Sequence, residues 1–366
     1  MSHATTSRSE RARRRKRQSV AASTLTAGLL LGALVAASPA GAALRSTHPS
    51  SKRPGDYRFN APDAAAVAGA DLFVANRMGN SITEVRASNG AFVRLIEGSR
   101  YRFDEPSALL VLGKDLFVAN AKAGVTELAI SNGALVRTFR GARYFSGAVA
   151  LATDGSNVYV LNAGGSGSVT KLAAGTGKMS VAKFRFDVPT AIVSVGTELF
   201  VTNSRGNSVT EIDATTMTSN TLKASRYQFE EPTGMAVDGG AVWITNYLGP
   251  TVTVISASTG ELVKVVPDMD GNLPNPGPII FADGNFYAAS PPGSSPMITR
   301  VQPGNTVMMP WMMCNTNGPY EFSNPQALAV AGSTLWVVNE GGLNAPYGPS
   351  LTEMNASSGA LIRTIS

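Results

Sequence analysis

Histidine-dependent hydrolytic triads, histidine-ligated zinc sites and imidazole general bases all need histidine placed among other polar groups. The two histidines of this chain are His3 and His48, so residues 49–366 can hold none of these. The single cysteine, Cys314, excludes an intramolecular disulfide and reads either as a buried small hydrophobe or as an exposed loop thiol. Asp268-Met269-Asp270-Gly271-Asn272 offers the one candidate metal loop, with Asp268, Asp270 and Asn272 as oxygen ligands. It lacks the later glutamate that completes a calcium loop. No glycine-rich phosphate loop leads from a strand into a helix, so no cofactor is expected. What remains is binding chemistry. Arg100, Arg143, Arg185 and Arg226 recur beside aromatic residues, and Met308, Met309, Trp311, Met312 and Met313 form an adaptable apolar cluster with an aromatic anchor.

The elements that must carry these residues are repeats. The segment LFVAN occurs at 72–76 and at 116–120, followed by VYVLN at 158–162, LFVTN at 199–203, VWITN at 242–246, FYAAS at 286–290 and LWVVN at 335–339. Each is followed by a Gly/Ser/Asn stretch and then by an alternating segment with one threonine: Thr83, Thr126, Thr170, Thr210, Thr253, Thr299 and Thr352. An Ala-x-x-Gly turn comes next, as in RASNGAFVR and NASSGALIR. The units start near Pro62, Pro106, Ala148, Pro189, Pro232, Pro276 and Pro325, at spacings of 44, 42, 41, 43, 44 and 49 residues. Each holds four short β-prone stretches separated by turn residues. Four strands in about forty residues is the period of a propeller blade.

The unit P-x-x-h-h-V-x-G-x-x-L-(F/W)-V-x-N…G-N-S-V-T-E-h-x-A-x-(T/N)-G resembles the YVTN/NHL class of propeller repeats over residues 62–366. The resemblance implies an all-β, seven-bladed β-propeller with four antiparallel strands per blade. For function it implies only what such propellers host: binding, scaffolding, and a few lyase or lactonase activities. Streptogramin-type propeller lyases rely on histidine, which this chain lacks over 62–366, so that activity is not carried over. Metal-dependent lactonase propellers use carboxylate and asparagine ligands around the channel, and no paired carboxylate spacing stands out here.

Alternating strand direction sorts the loops. The connections into each first strand share a face with the turns between second and third strands, and the Ala-x-x-Gly turns lie opposite. The first group carries SRYRFDEP (99–106), ARYFSG (142–147), KFRFDVP (183–189), SRYQFEEP (225–232) and YEFSNP (320–325). Departures from the repeat also collect on this face, at 267–276, 290–296, 308–322 and 341–349, all in blades 5–7. Irregular loops on a rigid scaffold are where binding sits. The candidate ligand-binding residues are therefore Trp311, Met312, Tyr320, Tyr347, Arg100, Arg143 and Arg226. Each has a packing alternative: the Arg-Tyr-x-Phe segments as inter-blade wedges, the Asn column as backbone caps, the Thr column as strand packing. Each unit supplies a whole blade, so ring closure is expected by face packing of blades 1 and 7, with YRFN (57–60) at that junction.

The chain's net charge of +6 belongs to its beginning. Residues 1–42 hold seven of the 31 lysines and arginines and one of the 25 acids, leaving 24 of each in 43–366. RARRRKR, the uncharged run 20–37 and Ala40-Gly41-Ala42 read as a secretory signal peptide helix over 1–42, with 43–61 a linker. Its eighteen-residue core is long enough to serve instead as a retained N-terminal anchor on the outer side of a membrane. A balanced propeller with no basic block argues against nucleic acid. The reading is a secreted, non-catalytic binding scaffold for an extracellular protein, peptide or glycan, engaged through blades 5–7. Two alternatives stay open: a metal-dependent hydrolase or lyase at the channel mouth, and a structural envelope component.

Overall fold

The computed structural model describes residues 57–268, 271, 273–290, 296–304, 322–341 and 348–366, with 309–313 described by backbone. It is a seven-bladed propeller of seven four-stranded antiparallel sheets, each made from consecutive strands. Blade 1 runs Pro62–Ala68, Asp71–Asn76, Ser81–Arg86 and Phe92–Ile96, and blade 7 runs Pro325–Ala331, Thr334–Asn339, Ser350–Asn355 and Leu361–Ile365. First strands of successive blades lie side by side around the axis, and Pro325–Ala331 lies against Pro62–Ala68 to close the ring. No helix among the described residues is long and apolar enough to cross a membrane. The expected signal helix, residues 1–42, lies outside the described residues.

The burial pattern follows from stacking sheets face to face. Second strands are apolar on both faces because each is covered by a blade on either side; Leu72, Phe73, Val74 and Ala75 are all buried. Fourth strands sit on the rim and are half exposed, as in Phe92–Ile96. The Ala-x-x-Gly turn of one blade packs on the fourth strand of the blade before it. A Cβ on Gly133, whose φ is +68, would stand 2.9 Å from Ile96 Cδ1, so only glycine suits that turn.

Closure is by face packing, without strands from one terminus completing the other's blade. Tyr57 and Phe59 stack on each other at 5.5 Å and pack with Leu72, Trp336 and Ile365 between blades 1 and 7. Blade 6 departs most from expectation. Its first strand begins at Ile279, because Pro276 and Pro278 offer no N–H to the ladder. Residues Met309–Met313, read above as part of a connection, form its fourth strand. They pair with Met297–Val301 and are interrupted by a bulge between Ile298 and Thr299. An edge strand tolerates Pro310 where an inner one would not.

Candidate functional site

Blades 1, 2, 3 and 5 share one small network at the connection that leads into them. In blade 2 the Asn120 amide donates to Thr126 Oγ1 at 3.1 Å, and that hydroxyl donates to the Tyr101 carbonyl at 2.8 Å. The Asn120 side-chain oxygen accepts the Asp104 N–H at 3.3 Å. The same relay recurs through Asn76 and Thr83, Asn162 and Thr170, and Asn246 and Thr253. The Asn column thus caps loop backbone. The Thr column does more than pack: its hydroxyls are the middle link between asparagine and loop.

The residue before each first-strand proline adopts a left-handed backbone: Ala61, Glu105, Val188, Glu231, Asn275 and Asn324 lie at φ between +49 and +57. Its carbonyl accepts the N–H that follows the asparagine, as from Arg77 to Ala61 at 3.0 Å and from Ala121 to Glu105 at 2.9 Å.

The candidate arginines lie at separate junctions, each against its own tyrosine. Arg100 donates to the Tyr101 hydroxyl at 2.7 Å, its guanidinium 4.7 Å from that ring's centre. Arg226 treats Tyr227 likewise, and Arg143 lies 5.6 Å from the Tyr144 ring centre. The Tyr101 hydroxyl in turn donates to the Gly133 carbonyl at 3.0 Å, on the Ala-x-x-Gly side. Tyr101–Phe103 and Tyr227–Phe229 are stacked pairs whose tyrosines are buried, so these segments wedge blades together. Trp311 and Met312 belong to the rim strand of blade 6, where Met312 pairs with Ile298. Tyr320, Tyr347, Asp270 and Asn272 lie outside the described residues. The Asp268 carboxylate accepts the Leu273 N–H at 2.7 Å and closes its own loop. Among the described residues no group of three His, Cys, Asp or Glu side chains could hold a metal ion.

Sequence reading passed over the residues at the channel mouth. In blades 2, 4 and 5 the position after the first proline donates to the next blade. Ser107 donates to the Ala148 carbonyl at 2.8 Å, Thr190 to Pro232 at 3.2 Å and Thr233 to Pro276 at 2.9 Å. In blade 1 this position is Asp63, 7% exposed. Around it stand Arg77 at the end of the second strand of blade 1, Glu340 at the matching place in blade 7, and Glu105 from the blade 2 connection. Glu105 is engaged by Arg77 at 3.5 Å and by Lys122 at 2.7 Å, and the lysine holds its carboxyl below the usual range. Glu340 accepts from Asn324 at 2.8 Å and from Gln326 at 3.1 Å, and burial pushes its carboxyl up. Burial pushes the Asp63 carboxyl up to about 7, Arg77 opposing and the two glutamates reinforcing. The signal was available in the aligned units: one acid in a column otherwise Ser, Val, Thr, Thr, Gly and Gln. Over blades 1 and 2, an open polar groove of about 490 Å3 is lined by Asn80, Glu97, Arg102, Asp104 and Arg140, among others.

Solved structures share this architecture at identities that speak to fold alone. A computationally designed protein is similar with a TM-score of 0.57 at 16% identity, covering 84% of this chain and 88% of that one. A chain of the Mitotic Checkpoint Complex reaches a TM-score of 0.62 at 12% identity, over 82% and 96%. The WD40 repeats of RRP9 reach 0.60 at 10%, over 77% and 89%. No protein-family model matches the chain, and no curated protein matches it.

Proposed function

We propose that the protein is a secreted, non-catalytic propeller of the YVTN/NHL type that docks an extracellular protein or peptide on the face of its inter-blade connections. One observation carries this reading: the Asn-Thr-carbonyl relay recurs in blades 1, 2, 3 and 5, while the connections whose sequences depart from the repeat, at 267–276, 290–296, 314–322 and 341–349, belong to blades 5–7. A scaffold kept uniform with one irregular surface is the form of a binding module. A similar propeller chain sits in the Mitotic Checkpoint Complex, which supports a protein as partner. A glycan would use the same loops. The basic leader and the 24-to-24 charge balance of the remainder support export and disfavour nucleic acid.

The test uses the full-length chain expressed with its leader. The chain recovered from the culture supernatant should begin at Ala43 by mass spectrometry and should capture a partner from the cell-wall and supernatant fractions. Tyr320→Ala with Tyr347→Ala should lower capture at least tenfold with an unchanged thermal transition, whereas Asn132→Ala on the opposite face should leave it intact. Undiminished capture by the double variant would overturn the assignment to blades 5–7. A chain retaining residues 1–42 would overturn free secretion.

A further inference from the structure

Blades 1 and 2 are built alike, yet one pair of matching positions differs in charge. In blade 1 the connection places Arg58 after Tyr57, and Glu97 follows the fourth strand. The two form an ion pair at 3.2 Å, with Arg58 donating to both carboxylate oxygens. In blade 2 the connection places Arg102 after Tyr101, and the fourth strand, Leu135–Phe139, is followed by Arg140. Register fixes the correspondence: Ile82 pairs with Ile96 in blade 1, and Val125 pairs with Phe139 in blade 2. The backbone agrees, with Arg58 at φ +51 and Arg102 at φ +58. An arginine therefore stands in blade 2 where blade 1 has the carboxylate of the pair. Neither Arg102 nor Arg140 has a side-chain hydrogen bond, ion pair or ring contact among the described residues. Both line the groove of about 490 Å3 over blades 1 and 2, a volume within the range of ligand sites. The two carboxylates that line it have cations of their own. Glu97 is held by Arg58, and Asp104 lies within the field of Lys122, which also holds Glu105 at 2.7 Å.

We infer that this groove binds a carboxylate group between the Arg102 and Arg140 guanidiniums, as Glu97 serves Arg58 in blade 1. Two like charges on one groove repel each other until an anion joins them. A guanidinium fork matches the two oxygens of a carboxylate. Phe103, stacked on Tyr101 at 5.3 Å, also lines the groove and offers an apolar wall to the carbon stem that carries the acid. Blade 4 has Arg185 and Lys223 at the two positions. Arg185 lacks the left-handed backbone shared by Arg58, Arg102 and Gln228, so that pair is presented differently. The carboxylate can arrive on a free acid or on an acidic side chain of a partner. The site lies apart from the connections of blades 5–7, and its test does not depend on docking there.

Isothermal titration of the full chain in dilute bis-tris chloride at neutral pH tests this. The probes are glutarate, the peptide Nα-acetyl-Gly-Glu-Gly-amide, its Gln counterpart and inorganic phosphate. Glutarate or the Glu peptide should saturate one site, and the Gln peptide should not bind. Arg140→Glu rebuilds in blade 2 the ion pair of blade 1 and should abolish binding. Arg102→Gln installs the residue that blade 5 carries as Gln228 at φ +51, and should weaken binding about fivefold. Both substitutions borrow a residue that a sister blade already accommodates, so the fold is kept. Asp104→Asn removes a repelling carboxylate and should tighten binding about twofold. Lys223→Glu in blade 4 should leave it unchanged. Saturation by glutarate alone assigns a free acid, saturation by the Glu peptide alone assigns a partner's side chain, and saturation by both supports the carboxylate site itself. Absence of saturable binding by either acid, undiminished binding in Arg140→Glu, an equal loss in Lys223→Glu, or binding of phosphate without either carboxylate overturns the proposal.

Discussion

Single residues here carry two distinct kinds of cost. Asp63 is electrostatic: its carboxyl is held near pH 7 in the fold against an ordinary value of 3.8. Between those values the native chain holds a proton that the unfolded chain has released, so wild-type stability falls as pH rises from about 4 to 7 and levels above. Asp63→Asn removes that dependence. We expect it to match wild type near pH 4 and to exceed it by about 2–4 kcal/mol at pH 8, read by urea unfolding in sodium phosphate. A constant difference across that range would contradict the placement of the carboxyl. Val188 is conformational: a β-branched residue at φ +56 and 39% exposed. Its left-handed backbone costs roughly 1–2 kcal/mol that asparagine largely avoids. Val188→Asn should therefore stabilise the protein by about 1 kcal/mol, and a loss would show that its side chain packs more than its exposure indicates.

At the scale of strands and turns, the repeated cations are the main joints. Arg94 reaches the Ile130 carbonyl, Lys171 reaches Ala214, Arg300 reaches Ser357 and Arg363 reaches Asn89, each in the 3–4 turn of the next blade. Arg363 also pairs with buried Glu353 at 2.7 Å. Among the described residues the junction from blade 4 to blade 5 has no such cation, because Asn220 stands opposite Glu211. Arg363→Ala would strand Glu353, whose carboxyl burial already pushes up against the opposing charge of Arg363. We expect a loss of about 2–4 kcal/mol, larger at pH 8 than at pH 5 because an unpaired Glu353 takes up a proton in acid. Arg363→Lys should recover part of it, and equal loss at both pH values would exclude the charge argument. These elements also mark what the sequence made legible. The strands of blades 1–5 and 7 were readable because the LFVAN-type segment, the alternating threonine-bearing segment and the turn residues recur in them at one period. The fourth strand of blade 6 was not, since Met309–Met313 has no alternation and contains Pro310. Asp63 was missed for a different reason: its meaning lies in a comparison across blades, and nothing in its neighbours along the chain announces it.

For the whole molecule, the seven sheets are equivalent in construction, and the chain closes on itself through Tyr57, Phe59, Trp336 and Ile365 with the Arg363–Asn89 contact on the rim. Charge is unequal around the ring: Asp63, Arg77, Glu105 and Glu340 gather where blades 7, 1 and 2 meet. The contiguity of each blade has a consequence for descent. A ring whose sheets borrow no strand from a neighbour can gain or lose one by a single in-frame duplication or deletion between prolines. No other sheet then needs rethreading. Similar units spaced by 41–49 residues are what copying of that kind leaves behind.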